Sequence, residues 1–190
     1  MKIYLATSWK NPHHAVTLAA LRAEGHEVYD FKAEQYAFNW QQLDTPEAMR
    51  TVVGYKRALA HTQACTSFNV DFAALKGADA CVLLLPCGND AHLEAGWVSG
   101  RGRPVVIYAP KIQDPGLMYK CFDDEAGATP LYATIEEVLV ALNAWIPKAP
   151  VCTEACTLEK WQLRSQLAYH RGQVEGMTEG VKRIRAREGL

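Results

Sequence analysis

The chain has 190 residues, 49% hydrophobic and 22% charged, enough for one ordinary domain with a sizeable core. A formal net charge of -1 leaves no global electrostatic footprint for nucleic acid or for an acidic membrane surface. No apolar run approaches the roughly 20 residues that would span a bilayer. The start, MKIYLATSWK, turns polar too soon for a signal peptide, so a cytoplasmic protein with a small-molecule partner is expected.

The elements follow in chain order. KIYLA (2–6) is a β-rich run. HHAVTLAALRAEGH follows, with Val16, Leu18, Ala19, Leu21 and Arg22 on a helical rhythm and Gly25 as a stop. EVYDF (27–31) is a second strand, so the first thirty residues form a βαβ unit and demand a parallel pair. Thr45-Pro46-Glu47 has the look of a cap with a first-turn proline, predicting a helix over about 46–63. DFAALKGAD (71–79) predicts a short helix before ACVLLL (80–85), apolar on both faces like a central parallel strand. AHLEAGWVSGRG is a helix, PVVIYA (104–109) a strand, and Leu131–Tyr132 a fifth strand. Thr134 and Glu137 make a capping box for a helix over 135–145.

PKAPVCTEAC (147–156) reads as a linker, which divides the chain into a domain, 1–148, and a linker with a C-terminal helix, 149–190. In that tail Leu163, Leu167, Val174, Met177, Val181 and Ile184 form a stripe. Gly172, Gly176 and Gly180 recur every four residues, a face that another helix can approach closely or the mark of a poorly ordered tail. Cys65, Cys81, Cys87, Cys121, Cys152 and Cys156 form no C-x-x-C pair, so reduced structural thiols are expected and no metal.

Ligands of open parallel α/β sheets sit beyond the carboxyl ends of the strands. Three stretches fall there: TSWKNPHH, DFKAEQYAFNW and PCGNDAHLE. In the first, Ser8, Lys10 and Asn11 offer donors at a helix start, a natural anion site. The loop has no glycine, so it is no Gly-rich phosphate cradle. Trp9, Phe38 and Trp40 either stack on a base or cover the core. In the third, Gly88, Asn89, Asp90 and His92 surround the start of a helix that carries Glu94. Glu94 falls in about the first turn, where a carboxylate complements the helix dipole. Leu93 and Ala95 offer it no salt-bridge partner, and Gly96 leaves room for a ligand. A carboxylate so placed can attack a carbon that is becoming cationic, as in glycosyl transfer. Asp71 is a second carboxylate, or simply the cap of its helix.

Together these residues resemble the nucleoside 2-deoxyribosyltransferase-like superfamily, which includes deoxyribosyltransferases, deoxynucleoside 5′-monophosphate N-hydrolases and hydroxymethyl-CMP glycosidases. The resemblance rests on Asp71, Ala78-Asp79 opening an apolar strand, Glu94-Ala95-Gly96-Trp97, and Gly102-Arg103-Pro104, and it spans about residues 1–145. It implies a flavodoxin-like or Rossmann-like sheet of five parallel strands with helices on both faces. It implies Glu94 as nucleophile on the anomeric carbon, a covalent glycosyl-enzyme, and Asp71 assisting the leaving base. It implies a nucleoside or nucleotide substrate, no cofactor, and a homodimer or larger homo-oligomer. The first loop departs from the Gly-rich form of the nucleotide hydrolases, the segment 36–65 is longer, and the tail lies outside. A nucleotide-binding sensor without turnover, and an interaction protein working through its tail, are the alternatives. A flavin or NAD enzyme is disfavoured because no G-x-G-x-x-G follows strand one.

Overall fold

The computed structural model describes residues 1–32, 38, 40, 51–124 and 126–145. By its contacts the chain divides into Met1–Ile146 and Pro147–Leu190. The tail stripe, Cys152, Cys156 and the Thr45-Pro46 helix start lie outside the described residues.

Five strands form one sheet: β1 (Lys2–Ala6), β2 (Glu27–Tyr29), β3 (Ala80–Leu84), β4 (Val105–Tyr108) and β5 (Leu131–Tyr132). Every pairing is parallel and the order is β2-β1-β3-β4-β5, the flavodoxin-like arrangement. The helices are α1 (His14–Ala23), α2 (Val52–Leu59), α3 (Thr62–Gly77), α4 (Asn89–Gly100) and α5 (Ile135–Ala144), with a 3₁₀ helix over Leu117–Phe122.

The sheet separates two apolar layers. Because side chains alternate along a strand, Ile3 and Leu5 face one layer and Tyr4 and Ala6 the other. The first layer joins Val82, Leu84, Val106 and Tyr108 to Leu18 and Leu21 of α1 and Val138 and Leu142 of α5. The second joins Cys81, Leu83 and Ile107 to Leu75 of α3 and Ala91, Ala95 and Val98 of α4. β3 is buried throughout, as its unbroken apolar run predicts. The capping box at Thr134 and Glu137 is formed as expected.

Three helices differ from expectation here, and α4 differs at its start. The predicted helix over 46–63 ends at Leu59, and the short helix at 71–79 is the end of α3, which starts at Thr62. The break is marked by the His61 ring, which accepts from Gln63 N–H and caps α3, while Thr51, which accepts from Gly54 N–H, caps the start of α2. In α1, Val16 is exposed while His14, Thr17, Leu18 and Leu21 turn inward. Gly25, at φ 79°, ends the helix in the left-handed region.

Candidate active site

Tyr4 and Tyr29 are direct partners across the β1–β2 ladder, so their side chains share one face of the sheet. Their rings stack with centroids 5.6 Å apart, on the α3/α4 side. A tyrosine hydroxyl in a buried strand must find an acceptor. Tyr4 donates to Glu94 Oε1 of α4 at 2.9 Å. Tyr29 donates to Asp71 Oδ1 of α3 at 2.7 Å. Two residues from adjacent strands thereby bring together two carboxyls from two separate helices.

Neither carboxyl has a cation for a partner among the described residues. Burial pushes Glu94 up from its ordinary 4.5 to about 8; Asp71 and Asp90 add repulsion, and the Tyr4 hydrogen bond only partly opposes them. Burial also raises Asp71, against the hydrogen bond from Tyr29. The Tyr4 phenol is held far above its ordinary range, first by burial and then by Glu94, so it remains a donor.

These facts correct two sequence expectations. α4 begins at Asn89, so Glu94 sits in its second turn, and the first-turn acid is Asp90. The helix dipole fades over the first turn and does not hold Glu94 ionised against burial. Asp71 lies inside a 16-residue helix, so it is no cap.

The other predicted residues divide into three groups. Around His92, the Nδ1 atom lies 2.7 Å from Gly88 O and Nε2 lies 2.8 Å from the Tyr119 hydroxyl. A carbonyl only accepts, so in the neutral ring Nδ1 carries the proton and Nε2 accepts from Tyr119. The His92 and Tyr119 rings also stack at 5.7 Å. Cys87 N–H donates to Gln113 Oε1 at 2.8 Å, and the Cys87 thiol is pushed up to about 12 by burial and then by the nearby Glu94. Such a thiol is inert at neutral pH. Asn89 and Asp90 are exposed at the helix start.

The first loop is largely self-contained. Asn11 is buried, and its Nδ2 donates to Thr7 Oγ1 and Pro86 O at 3.0 Å each and to Leu84 O at 3.4 Å, while its Oδ1 accepts from His13 N–H. Its polar atoms tie the β1 and β3 loops together and leave no donor for an anion, contrary to expectation. Ser8 Oγ accepts from Lys10 N–H, and Lys10 itself is exposed. Trp9 lies edge-on to Phe31, and Trp40 edge-on to Phe38. Neither is brought to the two carboxyls by a contact among the described residues. Gly96 is exposed alongside Leu93 and Gly100, and a Cβ added there would meet nothing within 4 Å. No close approach within the chain requires glycine at that position.

No family model matches the chain, and no curated protein matches it. Among solved structures it is similar to a 2-deoxyribosyltransferase from the psychrotolerant bacterium Bacillus psychrosaccharolyticus. The identity is 19%, the TM-score is 0.46, and the match covers 80% of this chain and 100% of that one.

Tyr4 and Tyr29 were not among the residues the sequence nominated. Both sit in strand runs that read as core. The available signal is chemical: a tyrosine in an aliphatic strand carries a hydroxyl that burial obliges to bond. Among the described residues, no group of three His, Cys, Asp or Glu side chains is placed to hold a metal ion. No helix among them is long and apolar enough to cross a membrane.

Proposed function

We propose that this chain cleaves or transfers the N-glycosidic bond of a nucleoside or nucleoside 5′-monophosphate through a covalent glycosyl-Glu94 intermediate. The observation that carries this reading is the Glu94–Asp71 pair, raised together and bonded only to tyrosine hydroxyls among the described residues. The sequence pattern around both residues supports it.

The pair holds one proton between two carboxyls over the neutral range, because burial and mutual repulsion oppose a double charge. In the productive arrangement Glu94 is the carboxylate and Asp71 the acid. Glu94 attacks the anomeric carbon with the oxygen not bonded to Tyr4. The C–N bond breaks, its electron pair leaves with the base, and Asp71 supplies the proton. Water or a second base then attacks the anomeric carbon. The bond to Glu94 breaks with its electrons returning to the carboxylate, and the attacking group gives its proton to Asp71. The original charge state is restored.

The test is to incubate the chain with pooled deoxynucleosides and their 5′-monophosphates, following base release by chromatography and intact mass by spectrometry. Released base and a glycosyl mass adduct on Glu94 are expected. A ligand that binds and stays intact, with no adduct, would overturn the reading in favour of a sensor.

A further inference from the structure

Tyr29 occupies the last position of a three-residue edge strand. A phenylalanine there would stack on Tyr4 equally well. A hydroxyl adds a desolvation cost unless it is bonded, and here it makes a 2.7 Å bond to Asp71 Oδ1. The same ring lies on the ring of Tyr4, whose hydroxyl holds Glu94 Oε1. Each tyrosine occupies one oxygen of its carboxyl. Among the described residues the second oxygen of each takes no hydrogen bond.

We propose that Tyr29 is a positioning residue: its hydroxyl orients Asp71 toward the leaving base, and its ring steadies the Tyr4 hydroxyl that orients Glu94. This rests on the glycosyl reading above. One side chain then serves both carboxyls through two separable features. The hydroxyl acts on Asp71. The ring acts on Glu94 through Tyr4. Other titratable groups face the pair from every side. Tyr4 comes from β1 and Cys81 from β3, Cys87 from the loop after β3, and Asp90 from α4 itself. The cations Lys76 of α3 and Arg101, just past α4, lie over the rings of Phe72 and Trp97 at 5.1 and 5.0 Å. Among the described residues no cation is bonded to Asp71, and the Tyr29 hydroxyl is the group that bonds it.

The experiment compares Tyr29→Phe and Tyr29→Leu in the full chain, on one donor with a good leaving base and one with a poor leaving base. Tyr29→Phe should lose about 10- to 100-fold in kcat/KM on the poor donor and little on the good one. Tyr29→Leu should lose on both, since the stack on Tyr4 goes too. Combined with Asp71→Asn, Tyr29→Phe should cost nothing further on the poor donor. Equal losses on both donors for Tyr29→Phe, or full additivity with Asp71→Asn, would overturn the proposal.

A second readout needs no turnover. In a Glu94→Gln background, the carbon-13 resonance of the Asp71 carboxyl is titrated with and without Tyr29→Phe. Loss of a bond that favours the ionised carboxyl should move its midpoint to higher pH. An unmoved midpoint would overturn the Tyr29–Asp71 link whatever the enzyme does. A moved midpoint, together with a parent chain that releases base from no donor, would uphold that link and overturn the glycosyl reading instead.

Discussion

The two sides of this sheet treat buried polar groups in opposite ways. On the α1 side, His14 Nε2 lies 3.4 Å from Asp30 Oδ1. Burial lowers His14 and Lys32 lowers it further, while Asp30 pulls it up. Asn11, in the loop ahead of α1, bonds to Thr7, Leu84, Pro86 and His13. Asn11's side chain is fully bonded and holds the loops in place, whereas His14 Nε2 has the contact to Asp30 but no hydrogen bond. On the α3/α4 side, Glu94 and Asp71 bond only to hydroxyls among the described residues, and both stand above their ordinary values. Asp30 accepts a hydrogen bond from the backbone N–H of Lys32 within the fold. A carboxyl held by a phenol keeps its affinity for a proton and can exchange it with a ligand. The contrast separates polar groups that build the molecule from those placed to act.

The sharpest way to break that contrast is to remove the acting groups. Glu94→Gln should keep its fold and its ligand binding while turnover falls by several orders of magnitude. Asp71→Asn should lose about 10²- to 10⁴-fold on donors with poor leaving bases and much less on donors with good ones. Steady-state kinetics on matched donors measures both. A Glu94→Gln chain working at near-parental rate would move Glu94 to the structural class.

The same contrast predicts two pH effects. With the pair singly protonated below about 8, kcat/KM on donors that need Asp71's proton should fall about tenfold per unit as the pH rises above that value, because the doubly ionised pair has lost its acid. Stability should also decline with rising pH, over a lower window. Between Glu94's ordinary 4.5 and its folded value of about 8, the folded chain holds a proton that the unfolded chain has released. Stability contributed by that proton is full below this window and declines as the pH rises through it. Glu94→Gln removes the decline and should leave the chain on the order of 2–4 kcal/mol more stable than the parent above about pH 8. Denaturant melts at several pH values measure the difference; parallel pH profiles for parent and variant would contradict it.

Much of this division could be read from the sequence, and its failures have local causes. The strands announce themselves as short β-rich runs, and ACVLLL as a central strand buried on both faces. Glu94 stands out because no oppositely charged neighbour explains it, and Asp71 because it belongs to the same sequence pattern. The helix boundary at residues 60–61 is harder to see, because neither Gly nor Pro marks it and the cap is a histidine ring. Missing that boundary turned Asp71 into an apparent cap. Starting α4 too late turned Glu94 into a first-turn residue and suggested an ionised group that burial instead favours protonated. Gly96 suggested room for a ligand, yet it lies on the exposed stripe with Leu93 and Gly100. The tyrosines escaped notice because their role needs the β1–β2 register, which pairs residues far apart in the chain.

On the structural side, Asn11→Ala should cost about 2–4 kcal/mol, since it takes the Asn11 partner from Pro86 O and His13 N–H, while Leu84 O keeps Thr7 Oγ1. The turnover of the folded fraction should change little. Thermal denaturation together with kcat measured well below the midpoint separates the two effects. A large loss of kcat with unchanged stability would place Asn11 among the acting groups.

The smallest expected effect tests whether the first loop belongs to either class. Lys10 is exposed, and its backbone N–H bonds to Ser8 Oγ. Asn11 is already committed to the fold, so Lys10 is the remaining source of charge in the loop for a 5′-phosphate. An exposed ammonium beside a phosphate contributes only about 1 kcal/mol, because water and salt screen it. If the loop receives the phosphate, Lys10→Ala should weaken binding of a monophosphate by about fivefold and leave the matching nucleoside unchanged. The difference should shrink as salt is added. Titration calorimetry with both ligands at two salt concentrations measures it. Equal affinity of the parent for nucleoside and monophosphate would mean that the loop recognises no phosphate and that the substrate is the nucleoside itself.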